Sequence, residues 1–125
     1  MAEKVCLDTD ICIDILNSRA RVEPLHDIIL DSEIYVTSIT VFELYLRATN
    51  LNQVSNFLKN GNIISFDENC AVQASNIHKE LKSIGNLMEF RDIFIASIAM
   101  VNNCKLVTFN KKHFSKIKDL ELLDL

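Results

Sequence analysis

The stretch DIFIASIAMVNNCKLVT, residues 92–108, decides how this chain folds. Ile93, Phe94, Ile95, Ala96, Ile98, Ala99, Met100 and Val101 leave a helix here with no polar face, so it must be covered on every side and lie centrally. Asp92 stands where it can open that helix. Lys105 to Thr108 then reads as a short strand, so a buried helix leads directly into the sheet.

The same alternation runs back toward the N-terminus. Ile63 to Phe66 is a strand, and Asp67 caps a long helix to Ile84, with Ala71, Ala74, Ile77, Leu81 and Ile84 on one face and Gly85 as its stop. Leu51 to Lys59 is a helix that Gly61 ends. Ile34 to Val36 is a strand that leads into a helix opened by Ser38 or Thr40 and running to about Ala48. Val41, Phe42, Leu44, Tyr45 and Leu46 make that helix apolar on more than one side, so it meets the core and something else, such as a second subunit. Lys4 to Leu7 is the first strand, and Thr9 or Asp10 caps a helix to about Leu16. Val22 to Leu30 is a helix with Pro24 in its first turn. Leu120 to Leu123 closes the chain as a fifth strand. This pattern predicts an α/β three-layer sandwich with a central parallel sheet of about five strands, formed by a single domain over residues 1–125.

Composition agrees with that class. With 49% hydrophobic and 24% charged residues, the chain is neither disordered nor fibrous. Two glycines and one proline argue against a many-turned all-β design. A net charge of −4 gives no global field that would draw the chain to nucleic acid or anionic lipid, so polyanion binding needs a local patch or a bound metal. Ile93 to Cys104, the longest apolar stretch, is well short of the ~20 residues that span a bilayer. Cys6, Cys12, Cys70 and Cys104 lack paired spacing and read as buried, reduced thiols of a cytoplasmic protein.

In parallel α/β sheets, sites form beyond the C-terminal strand ends, at the switch in strand order. The first strand ends at Asp8, the second leads to Glu43, Asp92 starts the helix before the fourth, and the fourth delivers Thr108 and Asn110. Gathered in one cleft, three carboxylates repel one another unless a cation offsets them. A hard ion, Mg²⁺ or Mn²⁺, suits oxygen ligands and supports phosphodiester hydrolysis. Each acid also has a plain structural role open to it. Asp8 and Asp92 can cap helices, while Glu43 has capping-box spacing to Thr40 and ion-pair spacing to Arg47.

Four segments together resemble the PIN-domain ribonucleases, and in length the VapC-like toxin branch of that superfamily. VCLDTDICIDIL resembles the first motif and VTSITVFELYLRA the second. GNLMEFRDIFIASIAMVNNCKLVTFNKKHF resembles the third and fourth. The resemblance implies a Mg²⁺- or Mn²⁺-dependent endoribonuclease with Asp8, Glu43 and Asp92 as metal-binding acids. It further implies a homodimer, and a small antitoxin that reaches into the acidic cleft. Many members of the family carry a fourth acid near the Thr-x-Asn motif. Here that stretch offers Asn110 and His113 instead, with Asn110 orienting a water, Thr108 as a supporting hydroxyl and Asp10 as a carboxylate just outside the ligand set.

Two other readings fit parts of the pattern. An inert binding module would keep the fold without the activity. A phosphorelay receiver would use Asp8 and Asp10, Asp67 as phosphoacceptor and Thr108, but LELLDL lacks the lysine expected of its last strand. Lys105, Lys111, Lys112, Lys116 and Lys118, with Arg91, are either a solvated face or a track for phosphates. His26, His78 and His113 form no metal-ligand spacing, and His26 and His78 read as structural or surface residues.

Overall fold

In a computed structural model that describes residues 2–125, β1 (Lys4–Leu7) sends Val5 and Leu7 to one side of a sheet and Cys6 to the other, the two-residue period of a strand. The chain continues through α1 (Thr9–Leu16), a 3-10 turn (Ala20–Leu25), α2 (His26–Leu30), β2 (Glu33–Thr37), α3 (Ser38–Arg47) and α4 (Leu51–Leu58). It then forms β3 (Asn62–Ile64), α5 (Glu68–Ser83), α6 (Phe90–Val101), β4 (Lys105–Val107) and α7 (Lys111–Phe114). The strands are all parallel in the order β3-β2-β1-β4, with Val5 opposite both Ile34 and Lys105.

That alternation builds two cores, one on each face. Cys6 and Leu106 pack with Ala74, Ile77 and Leu81 of α5, Ile93, Ile95, Ala96 and Ala99 of α6, and Phe114 of α7. Val5, Leu7, Val36 and Val107 pack with Ile11 and Cys12 of α1, Leu44 of α3 and Val54 of α4. These are the three layers expected from the sequence. As its composition requires, α6 is buried over Ile93 and from Ile95 through Ala99.

Several boundaries differ from the sequence reading. The fifth strand, Leu120 to Leu123, is reduced to one parallel bridge between Leu106 and Leu122, so the sheet has four strands. Two hydrogen bonds hold that bridge, from Leu106 N–H to the Glu121 carbonyl and from Leu123 N–H to the Leu106 carbonyl. The segment Val22 to Leu30 splits into the 3-10 turn, which contains Pro24, and the short α2. Proline has no N–H to give an α-helical ladder. Asp8, rather than Thr9 or Asp10, caps α1, and Thr37 caps α3. Asp92 does not cap α6: the N-cap position is Glu89, and Asp92 sits inside the first turn. The α5 limits agree well. Asp67 accepts from Cys70 N–H at 3.0 Å, and Gly85 at φ 70° ends the helix, with Asn86 N–H returning to the Leu81 carbonyl.

All four cysteines are free and buried. No helix among the described residues is long and apolar enough to cross a membrane. The strand order reverses direction around β1: the chain builds outward through β2 to β3, then crosses back to place β4 on the other side of β1. The carboxyl ends of β1 and β4 therefore flank the switch point, where such sheets bind ligands.

Candidate active site

Asp8 leaves β1 at that switch point. Its backbone N–H donates to the Val107 carbonyl at 3.0 Å, which fixes it against β4. Its carboxylate caps α1, Oδ1 accepting from Thr9 N–H at 2.8 Å, while Oδ2 accepts from Thr108 Oγ1 at 2.8 Å. Burial pushes the Asp8 carboxyl up to about 6. The Thr108 and Thr9 hydrogen bonds oppose that rise, and the charges of Asp10 and Asp92 add to it.

Glu43 projects from α3 and is almost completely buried. Its Oε1 accepts from Thr9 Oγ1 at 2.7 Å, and its Oε2 lies 3.0 Å from Arg91 Nη1. Because Thr9 gives its hydroxyl proton to Glu43, Thr40 must donate across the 2.8 Å contact to Thr9, and Thr37 in turn donates to Thr40 at 3.4 Å. Three hydroxyls thus point one way and end on a carboxylate. Neither plain role open to Glu43 is taken: Thr40 N–H is capped by Thr37, and Arg47 pairs with Asp10 at 3.6 Å.

Asp92 comes from the first turn of α6 and lies 3.1 Å from His113 Nε2, which donates to Oδ2 when that nitrogen carries the proton. Asn110 donates its backbone N–H to Thr108 Oγ1 at 3.0 Å. Asp8, Glu43, Asp92 and Asn110 line one cleft of about 140 Å³, together with Thr9, Asp10, Arg47, Arg91 and Phe114. Thr108 supports that cleft from beneath through Asp8. A larger cavity of about 390 Å³, lined by Leu7, Ile15, Val22, Ile29, Val36 and Phe57 among others, holds none of these acids.

The donor chemistry of the cleft suits a hard divalent cation. Its candidate ligands are carboxylate oxygens, and among the described residues no cationic side chain pairs with the buried Asp8 carboxylate. As the side chains stand, no group of three His, Cys, Asp or Glu among the described residues is close enough to hold an ion. The acids are turned onto Thr108, Arg91 and His113 instead.

Other residues fall outside the cleft. Lys105 is drawn to Glu3 at 2.6 Å beside the start of β4, the end opposite the site, and none of the five lysines lines the cleft. Asp67 is committed to capping α5 and does not line the cleft, which removes the phosphoacceptor a receiver would need. Thr9, Thr40 and the Arg91–Glu43 pair were not evident as parts of the site. Two local signals point to them: Thr9 directly follows Asp8, and Thr40 stands one helical turn before Glu43.

Comparison with known proteins adds an independent line. The PIN domain family profile matches residues 5–120. The chain is 32% identical over 120 residues to Ribonuclease VapC1 of Methanocaldococcus jannaschii, covering 95% of this chain and 85% of that protein. It is 30% identical over 125 residues to Ribonuclease VapC2 of Rickettsia felis, covering 93% of each. The crystal structure of VapBC2 from Rickettsia felis, bound to a DNA fragment from their promoter, superposes with a TM-score of 0.84 at 27% identity, over 97% of this chain and 98% of that one.

Proposed function

The chain belongs to the PIN domain family, and from that premise we propose that it is a metal-dependent endoribonuclease, the toxin of a toxin–antitoxin pair. One observation carries the reading: acids from the end of β1, from α3 and from α6 face a single cleft at the sheet's switch point. Two similar proteins are named ribonucleases.

Asp8, Glu43 and Asp92 are the residues that would hold Mg²⁺ or Mn²⁺. When bound, such an ion neutralises charge on the phosphodiester and lowers the pKa of water. The chain's own groups do the rest. The Thr9 amide and Thr108 hydroxyl hold the Asp8 carboxylate at the cleft, the threonine series holds Glu43, and His113 holds Asp92. The Asn110 side chain, at the cleft wall, orients the attacking water. Substrate RNA enters from the open side of the cleft, and a small antitoxin silences the protein by occupying the same acids. A second copy of the chain packs on the exposed apolar face of α3, and the assembly works in the cytoplasm.

Incubating the purified chain, free of partner, with RNA and Mg²⁺ or Mn²⁺ tests this reading. Cleavage should disappear with a chelator. It should also fall in Asp8→Asn and Asp92→Asn by more than the ~10–100-fold that loss of an outer partner costs a metal site. RNA left intact under every condition would make the chain an inert binding module.

A further inference from the structure

We propose that Arg91 is a tethered cation: it holds Glu43 while that carboxylate has no ion to bind, and on release it clamps a phosphodiester of the RNA. The inference rests on the metal-dependent nuclease reading and assigns a role to a residue which that reading leaves idle.

The Glu43 side chain is 6% exposed, and a charge so buried requires a partner. Arg91 Nη1 supplies one, 3.0 Å from Oε2, the oxygen that Thr9 leaves free. The attraction is mutual, since Glu43 is the main cause holding the Arg91 proton more firmly than usual. An ion drawing on Glu43 finds one oxygen held by Thr9 and the other by Arg91, so Arg91 and the ion compete for the charge of this carboxylate.

Arg91 is also built to let go. Its side chain is half-exposed, and its other arm holds only Glu89 Oε2 at 2.8 Å, a largely exposed carboxylate. Pairs of that kind contribute little to stability. The residue precedes Asp92 in the first turn of α6, so the guanidinium can swing without moving the backbone that carries the acid. A planar fork of donors matches phosphate geometry. Phosphate also needs such help here, because the cleft sets Asp8, Asp10, Glu43 and Asp92 against Arg47 and Arg91, and Arg47 already faces Asp10.

Competition and clamping give effects of opposite sign when Arg91 is removed, whereas a merely structural role would weaken both. Two measurements separate them: calorimetric titration of the ion-free chain with Mn²⁺, and kcat and KM on a short RNA. Arg91→Ala should bind Mn²⁺ about 3- to 10-fold more tightly, the range for losing a half-exposed competing ion pair. Its KM should rise about 10-fold, as for a lost phosphate contact, with kcat changed less. Arg91→Lys keeps the charge without the fork, so its Mn²⁺ affinity should return toward wild type while KM stays raised. Should Arg91→Ala fold poorly, the lysine variant still decides the clamp, and Arg91→Gln decides the competition. Unchanged or weaker Mn²⁺ binding in the uncharged variants, or an unchanged KM, overturns the inference alone if the wild type binds Mn²⁺ and cleaves. A wild type that does neither overturns the nuclease reading as well.

Discussion

Asp8 is charged at neutral pH at a cost, because burial lifts its carboxyl from the ordinary 3.8 to about 6. Between those two values the folded chain keeps a proton that the unfolded chain has released, so this residue's contribution to stability falls as pH rises. Asp8→Asn removes the penalty. In the presence of a chelator, the variant should gain on wild type by up to about 3 kcal/mol between about pH 4 and pH 7, from a shift of roughly two pH units. Urea unfolding at both pH values reads this directly, and an offset that does not change with pH would contradict it. The sequence revealed this residue only in part. An Asp after a strand and before a helix reads equally as a cap or as a ligand, and in the structure one carboxylate oxygen caps α1 while the other faces Thr108. Asp92 was ambiguous for a similar reason, since acids are favoured at the N-cap and throughout the first turn. Its place inside the first turn of α6, where its carboxylate faces His113 rather than capping the helix, is what leaves it available to the cleft.

Among the helices, α6 buries the most residues. It delivers Arg91 and Asp92 to the cleft from its first turn, while Ile95, almost fully buried, anchors the next turn in the core between α5 and the sheet. Ile95→Ala should cost about 2–5 kcal/mol of unfolding free energy, as large-to-small core changes do, while the protein that remains folded keeps its cleavage rate. Calorimetric melting beside an RNA assay checks both halves, and a large drop in rate at full folding would contradict the separation. Long apolar elements of this kind were plain in the sequence because their pattern permits nothing else. Short ones were not. The four residues of α7 carry too little periodicity to be recognised, and Leu120 to Leu123 has the residues of a strand but makes only one bridge in the sheet.

For the whole molecule, the three layers followed from alternation alone, because each strand must be covered on both faces and each helix must return to the sheet. The convergence of positions 8, 43 and 92 was expected from the switch-point rule and from the family resemblance, while the strand order that produces it comes from long-range packing that no local pattern records. One surface was anticipated: Phe42, Tyr45 and Leu46 of α3 remain exposed at one-turn spacing. If a second copy covers them, light scattering should give twice the chain mass, falling to a single copy in the double variant Phe42→Asp, Leu46→Asp. A wild-type chain that is monomeric at all concentrations would contradict that pairing. The most direct test of the central claim is a crystal of the partner-free chain soaked in Mn²⁺ and measured at a wavelength where manganese scatters anomalously. A peak within the cleft of Asp8, Glu43 and Asp92, absent from Asp92→Asn, is the predicted result. RNA cleavage by the same preparation with no peak there, or with the only peak at a different site, would contradict the account.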